Sequence, residues 1–314
     1  MKAHVLLSQP GHLALGLIMD RPFVQHLVEQ LVQRGIDDLT LLLPTSDSCV
    51  RRHLEDGTRW GIAIHYVVTT SGPCWRDLAH TVCDEGGPTL FGNGTNLPCL
   101  PPLTSEVGPT LFFETDKETA TWSGWGVMSG NAAHQFCARI GDGSGWREAA
   151  QTAGVVARKA FLESSALRSV SEADILASNR IALNGQYPGL YFYGRSIKPG
   201  VWIGRGARID SRASLQAPCY VGEDVRVQAG CTIGPNTTVG KDCVVERGAT
   251  VARSVLAPGT YVGPDLDLLD SLVDGNRLFN VRLGRDLLVQ ESHVLSRVFP
   301  SFASWFSGSR RVST

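Results

Sequence analysis

The chain has 314 residues, a length that suggests two domains, each large enough for its own core. Its 29 Lys and Arg against 30 Asp and Glu leave a net charge of -1, so the global basic field of a nucleic-acid-binding protein is missing. The eight cysteines show no Cys-x-x-Cys or Cys/His ligand spacing, which argues against a zinc site.

The apolar run at Met1–Leu7 breaks at Pro10-Gly11 and is too short for a signal peptide or a membrane span. The expectation is a soluble cytoplasmic protein with free thiols, no transmembrane segment and no nucleic-acid partner. Lys2–Leu7 reads as a buried first strand. Pro22–Gln33 has helical spacing through Phe23, His26, Leu27, Gln30 and Leu31, and Gly35 stops it. Leu39–Leu43 is a second buried strand, Ile62–Val68 alternates as a third, and Thr89-Leu90-Phe91 is a short apolar strand followed by Gly92-Asn93-Gly94. Strands alternating with helices predict a Rossmann-like, doubly wound α/β sheet, in which ligands sit beyond the C-terminal ends of the strands. The glycine-rich run Gly141–Gly145 follows no clear strand and reads as a flexible loop rather than a phosphate cradle.

The C-terminal third carries a different period. Ile197, Ile203, Ile209, Leu215, Val221, Val227, Ile233, Val239, Val245 and Val251 fall six apart, the hexapeptide repeat of a parallel β-helix. The aliphatic residue points inward, and the position two before it has room only for small side chains. Those positions are Val201, Ala207, Ala213, Cys219, Val225, Cys231, Thr237, Cys243 and Ala249, so three cysteines read as buried fillers. After Val251 the period slips by one, resuming at Leu256, Val262 and Leu268, and Asp270–Arg277 looks like the last turn. A solenoid end needs a cap. The tail from Leu283, with Phe299, Phe302, Trp305 and Phe306, reads as a cap helix packed on the last coil; a membrane-surface or partner helix is the alternative. Asp210-Ser211 and Glu223-Asp224 read as solvated turns of the solenoid.

Hexapeptide helices occur in acyltransferases and behind sugar nucleotidyltransferases. Acyltransferases of this kind commonly use a histidine at a coil corner as general base. Between Tyr191 and Asn280 there is none; the first is His293, beyond the repeat. Acyl transfer is therefore disfavoured.

Several blocks of the N-terminal part carry a resemblance. Asp20-Arg21-Pro22-Phe23-Val24 looks like the segment after the signature loop of sugar-1-phosphate nucleotidyltransferases. The stretch His53–Tyr66 resembles that family's short helix, Asp-Gly, Trp-Gly and strand. Trp122–Val127 is similar to a later strand, and Ser171–Leu176 to the helix leading into the linker. In their order these blocks resemble the NDP-sugar pyrophosphorylases, mannose-1-phosphate guanylyltransferases among them. The resemblance implies a nucleotidyltransferase-like α/β domain over 1–188, a left-handed parallel β-helix over 189–282 and a capping or partner-binding tail over 283–314.

The family joins a sugar-1-phosphate to a nucleoside triphosphate, using a glycine-rich loop, basic groups and Mg²⁺ held by carboxylates. The resemblance places those parts at Gly11, the single glycine of a shortened loop; at Leu13, where the family has lysine; at Thr95, where the first metal-binding Asp follows an Asn-Gly pair; and at Arg168, where the second belongs, six residues before Asp174. Neutral Thr and cationic Arg are poor Mg²⁺ ligands. The resemblance thus implies a degenerate site with no catalytic residue, no metal ligand and no expected cofactor, whereas an active member would need Mg²⁺. Asn93, Gly94, Gly124 and Arg168 remain candidates for binding a sugar nucleotide, with Arg168 in place of the metal's charge. The expected role is regulatory or scaffolding, in sugar-nucleotide or exopolysaccharide biosynthesis. The β-helix is expected to pair copies of the chain, or the chain with a catalytic paralogue.

Overall fold

The computed structural model describes residues 1–44, 48–70, 72–82, 87–103, 108–116, 119–162, 165–191 and 193–298. They form two compact units. The first comprises Met1–Ala14 and Val24–Ala166; the second comprises Leu15–Phe23 and the chain from Leu167 onward. The division at 166/167 differs from the expected 188/189, because the helix Glu172–Leu183 packs on the solenoid.

The first unit is built on a seven-stranded sheet in the order Arg158–Leu162, Thr110–Asp116, Thr119–Ser129, Pro88–Asn93, Lys2–Leu6, Asp38–Pro44, Ala63–Thr69. The last four strands run parallel to one another, and Thr119–Ser129 runs antiparallel to both its neighbours. The chain leaves Lys2–Leu6 toward one edge and returns to its other side with Pro88–Asn93. That reversal is the topological switch point of a doubly wound sheet, so the Rossmann-like expectation holds.

Alternation along the first strand divides the core. Leu6 joins Leu42 and Phe91 under Leu78, Phe136 and Ala149 of the helices Trp75–Thr81, Gly130–Gly141 and Trp146–Thr152. Val5 and Leu7 face Leu27 of the helix Phe23–Val32. Gly141–Gly145 is the turn between two of these helices, with Gly143 at φ +90°.

In the second unit the hexapeptide segment winds into three sheets. Strand pairs such as Val201↔Cys219 and Arg226↔Val244 lie 18 residues apart, three repeats per coil. Val221, Val227, Ile233, Val239, Val245 and Val251 are 3 % exposed or less, and Cys219, Cys231 and Cys243 are fully buried, as the register predicts. Burial pushes the Cys219 thiol up to about 11 and the Cys243 thiol to about 12. The slip after Val251 is real: Thr238↔Val255 and Val244↔Tyr261 are 17 apart. Ser254 fills the small inward place at the shortened corner, its hydroxyl bonded to Ala252 O at 2.8 Å. Corners use left-handed backbone, with Asp224, Asn236 and Asp242 at φ between 53° and 59°, where Asp and Asn are tolerated.

Two expectations are corrected. Ile197 is not a rung of the ladder: it is 44 % exposed, on a strand, Arg195–Lys198, that folds back antiparallel on Val201–Ile203. A hairpin strand pairs with the sheet without entering the coil, so its aliphatic residue stays outside. The cap is also made of strands in its described part, where a helix was expected. Ser271–Asp274, Arg277–Asn280 and Arg285–Leu288 form an antiparallel meander, and Leu295–Arg297 pairs antiparallel with Thr260–Val262. Leu295 is buried against the last coil, and Arg297 pairs with the buried Asp274. Phe299, Phe302, Trp305 and Phe306 lie outside the described residues.

The helix Glu172–Leu183 starts at Ser171, whose hydroxyl accepts from Asp174 N at 3.2 Å and donates to Asp174 Oδ2 at 2.7 Å, a capping arrangement. Halfway along, the Asn179 carbonyl oxygen accepts from Met19 N (3.0 Å) and from Thr238 Oγ1 (2.8 Å), so one buried side chain ties the 15–23 segment and a solenoid strand to the helix.

Candidate functional site

In a doubly wound sheet the site belongs at the switch point, here the C-terminal ends of Lys2–Leu6 and Pro88–Asn93. Leu6 and Asn93 are register partners, and Gly94 N donates to Leu6 O at 2.8 Å just beyond them. Gly94 is packed tight: a Cβ there would lie 2.7 Å from both Leu7 and Val5 and 3.2 Å from Leu27. It is glycine because the core presses on it, not because a ligand does. Asn93 Oδ1 accepts from Thr95 N at 3.1 Å and holds the turn, and Thr95 is buried at 6 % exposure.

Gly124 joins this group. The strand Thr119–Ser129 carries an irregularity where its pairing jumps from Phe112↔Trp125 to Phe113↔Trp122. Gly124 sits in it at φ +83°, a conformation glycine adopts without strain, and a Cβ there would lie 3.2 Å from Asn93 Cβ. Beside it runs a polar network not recognised in the sequence. Asn96 Nδ2 donates to Glu114 Oε1 (2.6 Å) and Ser123 O (3.0 Å), while the buried Trp125 Nε1 donates to Asn96 O (2.6 Å). The bulge glycine was the signal that could have pointed to it.

The segment after the first strand is closed. Gly11–Ala14 is a single helical turn in which Leu13 N (2.9 Å) and Ala14 N (3.3 Å) both bond to Pro10 O. Leu13 is 5 % exposed and Gly11 is also buried. A phosphate cradle needs several backbone N–H groups turned outward; two of these are spent internally. Lys2 stands at the start of its strand, opposite Asp38 and Thr89, away from the switch point.

The structure therefore brings Asn93, Gly94, Thr95 and Gly124 together. Arg168 belongs to the second unit, exposed on the short strand Leu167–Arg168. Its backbone N–H donates to Ser178 Oγ at 2.7 Å, and Ser178 Oγ donates back to its carbonyl at 2.9 Å. Asp174 is spent on the helix cap. Mg²⁺ does not fit the donors at the switch point, a buried Thr95 hydroxyl and the engaged Asn93 amide oxygen, where hard carboxylate oxygens are needed. Among the described residues no three His, Cys, Asp or Glu side chains converge as metal ligands. His53, pushed down to about 4 by burial and by Arg59, contacts Gln25 Oε1 at 3.1 Å, and His134 Nδ1 contacts Ala79 O at 2.7 Å.

A model of the GMPPB C-terminal domain matches residues 215–298, the solenoid from its first coil through the strand cap. No curated protein matches the chain. Among solved structures, a Bacillus anthracis protein assigned as a glucose-1-phosphate thymidylyltransferase, crystallised with sucrose, aligns with a TM-score of 0.48 at 10 % identity. The alignment covers 61 % of this chain and 97 % of that one. The family that the motif order suggested is thus supported at the solenoid, and this chain is similar to the sugar-1-phosphate nucleotidyltransferases.

Proposed function

We propose that this protein is a sugar nucleotidyltransferase-like protein without nucleotidyl-transfer activity, acting as a regulatory or scaffolding subunit in sugar-nucleotide or exopolysaccharide biosynthesis. The observation that carries the reading is the closed segment at the switch point, where Leu13 is buried and the amides of Leu13 and Ala14 are bonded to Pro10 O. Nucleotidyl transfer brings two anionic phosphates together, and losing one electrostatic stabiliser of such a step costs about 3 kcal/mol. Loop, lysine and both carboxylates are altered at once here, so turnover falls below what a cell can use. The purified chain, incubated with sugar-1-phosphates, nucleoside triphosphates and Mg²⁺, should release no pyrophosphate above the protein-free rate. Robust release overturns the reading.

The β-helix is the assembly element in this proposal, between copies of the chain or with a catalytic paralogue. Ile209 and Leu215 of the first coil are only partly buried within one chain, whereas their equivalents in later coils are covered. Sugar nucleotide binding through Arg168 would proceed without a metal. Calorimetry with GDP-mannose and dTDP-glucose, with and without chelator, tests it; heat that appears only with Mg²⁺ refutes it.

A further inference from the structure

At the opposite end of the sheet from the switch point, in the first unit, lies a cavity of about 910 Å³. It is lined by the starts of four adjacent parallel strands: Lys2 and His4, Asp38 and Thr40, His65, and Thr89. Alternation puts these side chains on the face whose other half is the apolar core around Leu6 and Leu42, so the polar row interrupts a surface that burial alone would have made aliphatic.

His4 is the most informative of them. It is 7 % exposed, and its Nδ1 lies 3.1 Å from Thr81 Oγ1. With the Thr81 hydroxyl donating to Leu78 O at 2.8 Å, its oxygen is open to accept from His4 Nδ1–H, the tautomer taken here. Burial holds His4 well below the ordinary histidine range, at about 4, so the ring is neutral and Nε2 keeps a bare lone pair. That atom has no partner among the described residues and belongs to a side chain that lines the cavity. Nε2 is an acceptor open to the cavity, within reach of a ligand hydroxyl.

The charges restrict the ligand. Asp38 is one-third exposed, with His65 Nε2 3.6 Å from it, and Asp37 is held by the Met1 amine at 2.7 Å. Carboxylates beside the cavity disfavour an anion; Lys2 and the amine disfavour a cation. Apart from the His4 and His65 imidazoles, no aromatic ring is among the described lining residues, so there is no Phe, Tyr or Trp face to stack a nucleobase. What remains is a neutral molecule rich in hydroxyls, each of which can donate to Asp38 or His4 Nε2 and accept from Lys2 or Thr40 and Thr89. The volume falls in the range of small-molecule sites. We propose that this cavity binds a neutral sugar, with His4 and Asp38 as its acceptors. The proposal is independent of whether nucleotidyl transfer occurs.

Calorimetry on the full chain with glucose, mannose and maltose tests it. At least one should bind, and His4→Asn and Asp38→Asn should each weaken it about tenfold, the worth of one good hydrogen bond. Asparagine at position 4 keeps a donor for Thr81 and withdraws the acceptor from the Nε2 position, its own Oδ1 ending short of it. If His4→Asn melts early, Asp38→Asn, at a one-third exposed position, decides. No binding of any of the three sugars overturns the proposal, as does binding that both variants leave intact, or tighter binding of inorganic phosphate or spermidine. The pyrophosphate assay on the same sample reads the functional proposal separately.

Discussion

Single residues at the switch point are fixed by packing. Gly94 is squeezed by Leu7 and Val5 at 2.7 Å, so Gly94→Ala should lower stability by about 1–3 kcal/mol through overpacking, seen as a lower urea midpoint at an unchanged slope. An accommodating site would show no such cost. His4 makes a pH prediction. Its folded value of about 4 lies below the unfolded 6.5, so the unfolded chain takes up the proton first as pH falls. Stability from this residue is complete above pH 6.5 and is lost progressively between 6.5 and 4. Between pH 7 and pH 5 His4 should account for a loss of about 2 kcal/mol, read by denaturation at both pH values as the difference between the parent chain and His4→Asn; His53, also held at about 4, adds its own loss, which the substitution leaves in place. Both residues were visible in the sequence. What each touches was not, because Leu7, Val5 and Thr81 reach them only through the sheet and the helix packed on it.

At the scale of elements, the solenoid was the most legible part. A six-residue repeat dictates strand, corner and inward face locally, so the register of Cys219, Cys231 and Cys243 and the slip at Ser254 follow from spacing alone. The ends broke that logic. Ile197 keeps the period yet sits on a reversed strand, and the cap from Ser271 to Arg297 is antiparallel, because pairing there is decided by an edge that needs covering. The helix Glu172–Leu183 makes the clearest prediction at this scale. Asn179→Ala leaves Met19 N–H and the Thr238 hydroxyl, both buried, without their acceptor. The second unit should lose about 2–4 kcal/mol. Proteolysis at graded urea should then cut the 15–23 and 167–298 segments before the first unit; simultaneous loss of both units would argue against it.

For the whole molecule, no helix among the described residues is long and apolar enough to cross a membrane. The proposed assembly role predicts that light scattering finds a mass above the 33.9 kDa of one chain, alone or after mixing with a catalytic paralogue. Leu215→Glu, on the first coil, should reduce that mass while leaving the later coils folded. A single-chain mass under both conditions removes the β-helix from the proposal.

The sequence by itself determined the parallel β-helix, its register, and the alternation of strands and helices that opens the first sheet. All of these depend on residue identity and short spacing. Only the tertiary structure decided that Leu15–Phe23 and Glu172–Leu183 belong with the solenoid, that Gly124 lies against Asn93, and that Lys2, His4, Asp38 and Thr89 share one cavity. Those juxtapositions join positions tens of residues apart through strand pairing and side-chain packing, and the burial that creates them exists only once the chain has closed on itself.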